Sequence, residues 1–516
     1  MNRNTPVLSY NLEALFAESQ KCLIRYDFTG AVEVLRRAHK LAPANDRILV
    51  DLGCACAKAY DFAAAHRWFD EAVRISPTPV PALNAIGHAW LEVRNFEAAQ
   101  ACFERILREK QVPLIAFVRL SEIYIRRRRL EEANEITDRA LHLYGPDDAV
   151  LLARGNAHRQ LGQLDLAEKL YHVLVARPNG DLRVRAFAGY ELAGLHDHKG
   201  EYDKAMTALL DAKALMRRVA AQPLRILKQK QAHLKDMQQS ASEQVVQRWR
   251  KAGSTDLQPA RNLALLCGHA RSGTTLLEYV IDAHPGVASA EESTVFHNHA
   301  YYPLGQAFSR NATFVSSLDW VPDRTVRHIR AEYFRGIESL LGEPIGERLL
   351  LDKNPANTFD VPAIARIFPE NKFVAALRDP RDTCLSSFMQ AVDVIPDTAA
   401  WLTLEGTIEH YSLIMGLWAA WKPCLGDQAI EVRYEDLVEN LEPSARRVLD
   451  FLGLNWDERV MRFHEHASNK LVRSPTFAQV TKPLYRASVG RWKRYQKYFE
   501  PHLPKLAALL RAFGYE

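Results

Sequence analysis

Residues 262–282 read NLALLCGHARSGTTLLEYVID. The apolar run 262–267 is suited to a strand that is buried on both faces of a parallel sheet. A loop bounded by Gly268 and Gly273 follows, and from Leu276 onward the pattern is helical. A strand, a glycine-bounded loop and a helix in this order direct backbone N–H groups and a helix N-terminus at an anion. The stretch therefore predicts an anion-binding loop in an α/β domain, the alternative being an ordinary strand–helix turn.

The loop differs from the ATP-binding pattern G-x-x-x-x-G-K-[ST] at one position. Thr274 stands where that pattern has a lysine, and Thr275 follows it. Because this lysine normally reaches the β- and γ-phosphates, its absence argues against ATP or GTP hydrolysis and against a nucleotide kinase. Arg271 supplies a positive charge within the loop instead. We therefore expect a cradle for a smaller anion.

This loop and the residues after it resemble the sulfotransferases. Residues 271–275 are similar to the 5′-phosphosulfate loop of that family, and the continuations DAHP at 282–285 and EES at 291–293 resemble the tyrosylprotein sulfotransferases in particular. The resemblance implies 3′-phosphoadenosine 5′-phosphosulfate as the donor and Glu292 as the catalytic base. It also implies that the donor is bound by Arg271, Ser272, Gly273, Thr274 and Thr275.

A second nucleotide signature lies at residues 373–382, FVAALRDPRD. Family members bind the 3′-phosphate of the donor with an arginine and with a serine eight positions later, which implies Arg378 and Ser386. A guanidinium binds phosphate oxygens bidentately, and a hydroxyl adds a further hydrogen-bond donor. ATP has no 3′-phosphate, so this pair predicts the choice of nucleotide. Gln390 stands where some relatives carry a further arginine.

Four further assignments follow from the resemblance. It implies that Lys353 contacts the transferring sulfonate and that Tyr434 packs against the adenine. In the C-terminal part it implies a catalytic hydroxyl at Thr476 and a donor-binding cation at Arg491. Together with Arg271, both Lys353 and Thr476 are expected to stabilise the charge that develops on the leaving oxygen.

The first half of the chain is an internal repeat. Alanines recur every 34 residues at Ala31, Ala65, Ala99, Ala133 and Ala167, and Ala205 follows after a longer interval. Twelve positions before these alanines stand Ser19, Gly53, Gly87, Ser121, Gly155 and Ala193. Each second helix is expected to open at Phe28, Phe62, Phe96, Leu130, Leu164 or Tyr202. Small residues at fixed positions let two antiparallel helices approach closely, and the pattern resembles the tetratricopeptide repeat.

These observations predict a multidomain chain. An N-terminal all-α tetratricopeptide solenoid is expected at residues 1–212 and a helical linker or cap at 213–254. Residues 255–516 are expected to form an α/β three-layer domain, related to P-loop proteins and with a central parallel sheet. The concave groove of such a solenoid typically binds peptides or proteins. Residues 126–129, four consecutive arginines, are interpreted as a solvated helix end, with recognition of an acidic partner as the alternative.

The composition is that of a globular protein and argues against several other classes of protein. Among the 516 residues, 47% are hydrophobic and 25% are charged, which is typical of a globular chain and not of a disordered one. A net charge of +5 is too small to imply nucleic acid. Seven scattered cysteines without a CxxC pair are typical of a reducing compartment, and no apolar run is long enough to span a bilayer. We expect a cytoplasmic protein that binds no membrane.

The predicted reaction is transfer of a sulfonate to an acceptor hydroxyl without a metal. The histidine pairs at 297 and 299 and at 464 and 466 lack a third ligand, so no metal site is predicted. Tyrosine of a protein or peptide, held by the repeat groove, is the first acceptor, and a hydroxyl of a carbohydrate or small molecule is the second. A catalytically inactive repeat scaffold is an alternative of another class. A homodimer is left open.

Overall fold

The computed structural model describes residues 5–257, 262–301, 304, 313–469, 484, 486 and 488–516. Contacts between residues divide the chain into two compact units. The first comprises Met1–Leu170, Val295–Ala307 and Glu332–Glu343, and the second comprises Tyr171–Thr294, Phe308–Ala331 and Pro344–Glu516. These two units do not define domains that fold independently. The expected domain limits at 212 and 254 therefore stay a prediction.

The first unit is helical and is built from antiparallel helix pairs. Its helices are α1 (Thr5–Ile24), α2 (Phe28–Leu41), α3 (Asp46–Lys58), α4 (Phe62–Ile75), α5 (Pro79–Glu92), α6 (Phe96–Ile106), α7 (Leu114–Arg126), α8 (Leu130–Tyr144) and α9 (Asp148–Gln160). Helix α10 (Leu164–Ala176) begins in this unit and ends in the second one. The predicted openers are the first residues of α2, α4, α6, α8 and α10, so the repeat register is confirmed in the structure.

The repeated small residues allow close helix packing. All five alanines spaced by 34 residues are completely buried. A Cβ atom added at Gly53 would lie 2.3 Å from the ring of Phe69, and one added at Gly87 would lie 2.7 Å from the ring of Phe103. Larger side chains at these positions would therefore force the two helices of a pair apart.

The turn inside each helix pair repeats a left-handed backbone conformation. Tyr26, Tyr60, Arg94 and Arg128 all have φ between 58° and 60°, and Gly162 and Gly200 occupy the equivalent turns of the next two pairs. A left-handed residue with a side chain costs about 1–2 kcal/mol. This conformation could not be predicted from the residues, because aromatic and arginine side chains do not favour it.

The second unit combines helices with one sheet. Its helices include α11 (Leu182–His198), α12 (Tyr202–Arg217), α13 (Ala221–Gln239), α14 (Glu243–Asp256) and α15 (Thr274–Asp282). Further along the chain are the helices Phe314–Leu318, Val361–Ile367, Pro380–Phe388, Leu404–Leu425, Tyr434–Glu439, Leu441–Leu452, Phe463–Asn469, Gln496–Phe499 and Leu503–Ala512. Helix Asp323–Leu341 is divided between the two units.

The predicted parallel sheet is confirmed. Its strands are β1 (Leu263–Gly268), β2 (Val287–Glu291), β3 (Leu349–Lys353), β4 (Lys372–Leu377) and β5 (Ala429–Arg433). They lie in the order β2-β3-β1-β4-β5, and every neighbouring pair is parallel. β1 is central and entirely buried, with Leu263 beside Leu350 of β3 and Ala264 beside Lys372 of β4. The glycine-bounded loop therefore leaves the middle of the sheet.

Helices α13 and α14 belong to the packing of the second unit. Trp421, on helix Leu404–Leu425, donates a hydrogen bond of 2.9 Å to the carbonyl oxygen of Met237 and stacks on Trp249, with ring centroids 6.2 Å apart. Both tryptophans are almost completely buried. Helices α13 and α14, which precede the sheet in the chain, thus cover apolar side chains of helix Leu404–Leu425.

Candidate active site

Each of the five strands has predicted site residues at or shortly after its carboxyl end. The loop at 268–275 follows β1, and Glu292 follows β2 directly. Lys353 is the last residue of β3, Arg378 follows β4, and Tyr434 follows β5. The carboxyl ends of parallel strands share one edge of the sheet, which is where ligands of open α/β sheets bind.

A cavity of about 380 Å³ lies among these residues. This volume is in the range of small-molecule sites. Of the predicted residues its lining contains Arg271, Gly273, Thr274, Thr275, Glu292, Arg378, Ser386, Tyr434 and Arg491. Ser272 and Lys353 are buried outside the lining, and Thr476 lies outside the described residues.

The loop has the backbone of a tight anion cradle. Arg271 and Gly273 have φ of 72° and 95°, so the chain reverses within three residues. A Cβ atom on Gly273 would lie 2.7 Å from Cδ2 of Tyr434, and one on Gly268 would lie 2.5 Å from the carbonyl oxygen of Ala376. Both glycines are therefore required by neighbouring atoms. The buried Oγ of Ser272 has no hydrogen-bond partner among the described residues, as expected for a hydroxyl in a ligand-binding loop.

Two arginines and a serine form a connected network beside the loop. Nε of Arg271 donates to Oγ of Ser386 at 3.1 Å, and Nη1 of Arg378 donates to the carbonyl oxygen of Arg271 at 3.2 Å. The guanidinium of Arg378 also lies 5.2 Å from the ring centroid of Tyr434. Two guanidinium groups, a hydroxyl and an aromatic ring in one cavity fit a phosphorylated nucleoside.

Arg491 lies in the same lining and is held from two sides. Its Nη2 donates to Oδ2 of Asp197 at 2.7 Å. The backbone N–H groups of Gly490 and Trp492, on either side of Arg491, each donate to the carboxylate of Asp382 at 2.7 Å. Asp382 is also 4.0 Å from Nη2 of Arg378, so one carboxylate links the Arg491 segment to a second arginine of the lining.

Lys353 lies beneath the cavity in a cluster of three carboxylates. Its Nζ is 3.1 Å from Oε2 of Glu278, 3.4 Å from Oε1 of Glu292 and 3.9 Å from Oε1 of Glu291. The lysine is completely buried, and of the three carboxylates only that of Glu292 reaches the lining. The sequence did not reveal this arrangement, and a contact of Lys353 with the sulfonate stays a prediction.

Burial and charge act in opposite directions in this cluster. Burial raises the pKa of Glu278 to about 8, and the nearby ammonium of Lys353 offsets only part of this effect. Burial lowers the pKa of Lys353, but Glu278, Glu292 and Glu291 outweigh it and leave that pKa above the ordinary lysine value. Lys353 therefore stays charged at neutral pH. A hydrogen bond of 2.6 Å from Ser289 to Oε1 of Glu278 fixes the far side of the cluster.

Glu292 is held by its backbone as well as by Lys353. Its φ of 48° is left-handed, and its N–H donates to the carbonyl oxygen of Lys353 at 2.6 Å. Tyr279 donates to Oε2 of the neighbouring Glu291 at 3.2 Å, which keeps that carboxylate inside the cluster. The left-handed turn thus separates the two glutamates, turning one inward and the other to the cavity.

A second wall of the cavity was missed by the sequence reasoning. It comprises His269, Phe359, Trp401, His410 and Ile414. His410 and Ile414 lie one turn apart on helix Leu404–Leu425, His269 belongs to the loop, and Phe359 and Trp401 come from two further segments. No motif in the sequence joins these segments. Burial lowers the pKa of His269 to about 3 and that of His410 to about 4, so both rings are neutral at pH 7. The wall is therefore largely aromatic and carries no charge at pH 7.

Over the described ranges, no group of three or more histidine, cysteine, aspartate or glutamate side chains is placed to hold a metal ion. Among the helices that the structure describes, none has the length and apolar character needed to cross a bilayer.

Comparison with known proteins agrees with this geometry. Residues 264–458 match the Sulfotransferase family, and residues 84–148 match the Tetratricopeptide repeat. An uncharacterized protein of Aquifex aeolicus is 25% identical over 343 residues, which are 64% of this chain and 43% of that protein. Protein-tyrosine sulfotransferase 2 of Gallus gallus is 27% identical over 248 residues, 45% of this chain and 62% of the relative.

Protein-tyrosine sulfotransferase 1 of Danio rerio is 27% identical over 272 residues, which are 49% of this chain and 72% of the relative. The match to this chain thus spans less than two thirds of the length of the Aquifex and Gallus relatives. The cavity lies at the sheet edge of the segment that matches the sulfotransferase family, and the 34-residue helix pairs account for the other match. The chain therefore contains tetratricopeptide repeats and a sulfotransferase domain.

Proposed function

We propose that this protein transfers a sulfonate group from 3′-phosphoadenosine 5′-phosphosulfate to an acceptor hydroxyl, with tyrosine of a protein or peptide as the first acceptor. The observation that carries the proposal is the meeting of the lysine-free loop, Arg378, Ser386 and Glu292 in one cavity. When bound, the donor supplies an activated sulfonate. The residues of the chain bind it, orient the acceptor and move one proton.

Binding of the donor is assigned to the cationic side of the cavity. The loop at 271–275 offers backbone N–H groups and Arg271 to the 5′ end, while Arg378 and Ser386 take the 3′-phosphate. Tyr434 offers its ring to the adenine, and Arg491 adds a further cation. Fixed cations in a partly enclosed site stabilise developing negative charge without rearranging.

Removal of the acceptor proton is assigned to Glu292. A phenol has an ordinary pKa of about 10, so at neutral pH it needs a base as it attacks. Of the three clustered carboxylates, Glu292 alone lines the cavity, which supports this role. The charged Lys353 behind it favours the carboxylate form. The catalytic hydroxyl expected at Thr476 is part of the same proposal.

The acceptor is inferred from relatives and from the repeats. The Gallus and Danio relatives are protein-tyrosine sulfotransferases, and the uncharged wall of the cavity is suited to an aromatic ring. A carbohydrate or small-molecule hydroxyl is the second candidate. An inactive scaffold is disfavoured because a base and a cationic donor site meet in one cavity.

The repeats are proposed to hold a protein acceptor in their groove. The four arginines at 126–129 are not free for this purpose: Arg127 donates to Gln100 at 2.8 Å, and Arg129 pairs with Glu132 at 2.8 Å. Their contacts within the repeats support the interpretation as a helix end. All seven cysteines are free thiols, which supports our placement of the protein in the cytoplasm.

Nucleotide binding and transfer test the proposal in two steps. Calorimetric titration should show much tighter binding of 3′-phosphoadenosine 5′-phosphate than of AMP or ATP, and equal affinity for AMP would remove the 3′-phosphate assignment. Incubation with ³⁵S-labelled donor should then label a tyrosine peptide. Label on carbohydrate alone would favour the second acceptor, and no label on any acceptor would favour the scaffold.

A further inference from the structure

Helix α11 contributes a carboxylate that contacts Arg491, a lining residue of the cavity. Asp197, near its C-terminal end, accepts a hydrogen bond of 2.7 Å from Nη2 of Arg491 and one of 2.6 Å from the hydroxyl of Tyr495. Both sides of the ion pair are mostly buried, with 26% of the Arg491 side chain and 15% of the Asp197 side chain exposed. The family match ends at residue 458 and begins at 264, so neither residue belongs to it.

A pair this sheltered fixes the arginine more firmly than a surface ion pair does. Exposed pairs contribute little because solvent screens them and both side chains must be immobilised. Here Tyr495 already fixes the carboxylate, and Asp382 already fixes the backbone around Arg491 through Gly490 and Trp492. Because the backbone around Arg491 is held in place, the contact with Asp197 fixes one orientation of the Arg491 side chain.

That orientation leaves the arginine able to bind an anion. A guanidinium has five N–H donors, and the ion pair with Asp197 engages one of its nitrogens. Arg491 still lines the cavity, and Asp382 ties its segment to Arg378, the residue assigned to the 3′-phosphate. The two arginines therefore border the same part of the site.

We propose that Asp197 is a positioning residue that holds Arg491 toward the 3′-phosphate of the donor. The helix pair α11–α12 then contributes to binding of the nucleotide through Asp197. This inference rests on the proposed function. It assigns to the last helix pair a role in binding the donor that is separate from holding an acceptor.

The same helix pair offers a matched control. Asp203, at the start of α12, pairs with Lys497 at 2.7 Å and accepts a hydrogen bond of 3.0 Å from Tyr498. Its side chain is 68% exposed, and neither partner lines the cavity. Asp203→Asn thus removes a similar contact between the same two segments without touching Arg491.

The test is calorimetric titration of the full chain with 3′-phosphoadenosine 5′-phosphate and with AMP. Arg491→Gln should weaken binding of the bisphosphate by about tenfold or more, since it removes charged hydrogen bonds to the 3′-phosphate, and should leave binding of AMP nearly unchanged. Asp197→Asn should produce a selective loss of about three- to tenfold in the same direction. Asp203→Asn should produce none.

A double variant and the conservative variant Asp197→Glu test whether Asp197 acts through Arg491. Asp197→Asn combined with Arg491→Gln should bind no more weakly than Arg491→Gln alone, and Asp197→Glu should restore most of the selectivity. Tyr495→Phe keeps the charge of Asp197 but frees its carboxylate, so it should also weaken the bisphosphate selectively. It supplies the test if Asp197→Asn does not fold.

Two failures are distinguishable. If the unmodified protein binds the bisphosphate and AMP equally, the proposed function fails. If it prefers the bisphosphate and Arg491→Gln loses that preference, while Asp197→Asn and Tyr495→Phe keep it, the role of Asp197 is overturned. Equal loss in Asp197→Asn and Asp203→Asn would also overturn it, since the effect would then be general loosening of the helix pair.

Discussion

The ammonium nitrogen of Lys353 lies 3.4 Å from Oε1 of Glu292, and only the glutamate lines the cavity. A buried lysine behind a carboxylate favours its charged form and limits its rotation. The lysine is in turn held by Glu278 at 3.1 Å, so the position of the proposed base depends on a buried ion pair outside the cavity.

Glu292→Gln should lower turnover by about 10²- to 10⁴-fold, the usual effect of removing a general base, while binding of the nucleotide stays near normal. The amide keeps the shape of the side chain but cannot accept the acceptor proton. Turnover is measured with labelled donor and affinity by calorimetry. Glu291→Gln is the control and should be milder, because that carboxylate points into the cluster. Near-normal turnover of Glu292→Gln would remove it from this role.

Gly273→Ala should weaken donor binding by about tenfold or more, because a Cβ there meets Tyr434 at 2.7 Å and the φ of 95° strains any side chain. Gly426→Ala is the control for backbone strain without a steric clash. Gly426 also has a positive φ, of 55°, but its Cβ would have no neighbour within 4 Å. It should lose stability without losing affinity. Similar affinity of both variants for the nucleotide would contradict the proposed contact between loop and ring.

A chain that begins at residue 178, before α11, should bind the nucleotide, whereas one that begins at residue 255 should aggregate. The shorter chain lacks Met237 and Trp249 and would expose Trp421, which is completely buried in the full chain. An aromatic side chain of this size buries about 150–250 Å². Size-exclusion chromatography and calorimetry on both chains check this. A monomeric, nucleotide-binding chain from 255 would show that α13 and α14 are dispensable.

The free energy of unfolding should fall as the pH drops from 6.5 to 5. The folded-state pKa of His410 is lowered to about 4 by burial, so only the unfolded state gains its proton over this range. Linkage gives a loss on the order of 1–2 kcal/mol for this one histidine, and stability from this source is fully present above the unfolded-state pKa of about 6.5. Urea unfolding at both pH values, with His410→Gln as the comparison, measures it.

In the His410→Gln chain, the decrease in the free energy of unfolding between pH 6.5 and pH 5 should be smaller by about the contribution of His410. His269, with a folded-state pKa of about 3, should still contribute its own loss. An unchanged drop in His410→Gln would mean that His410 titrates alike in the folded and unfolded states.

Local patterns predicted much of this structure. The 34-residue spacing located the first residues of the second helices, because each opener occupies the same place in a repeated unit. The loop, Arg378 and Tyr434 were assigned to one site by the family resemblance of the short motifs around them, and in the structure all three follow strands of one parallel sheet. Both signals are periodic or local, so a single sequence contains them.

The remaining features depend on contacts between distant segments. Asp197 and Arg491 are 294 positions apart, and no pattern in either segment points to the other. The carboxylates around Lys353 come from α15 and from the end of β2, so their convergence follows from the strand order β2-β3-β1. His410 carries no motif, and only its burial beside the cavity marks it.

The left-handed backbone at Glu292 places stability and activity in opposition. Glycine adopts a φ of 48° without strain, whereas a residue with a side chain loses about 1–2 kcal/mol there. Glu292→Gly should therefore relieve this strain, although it also removes one of the carboxylates beside the buried Lys353. Calorimetric melting should show a smaller loss of stability for Glu292→Gly than for Glu292→Ala, which keeps the strain and loses the same carboxylate, while turnover is lost in both. The proposed role of Glu292 as the base thus carries a conformational cost that the fold alone does not require.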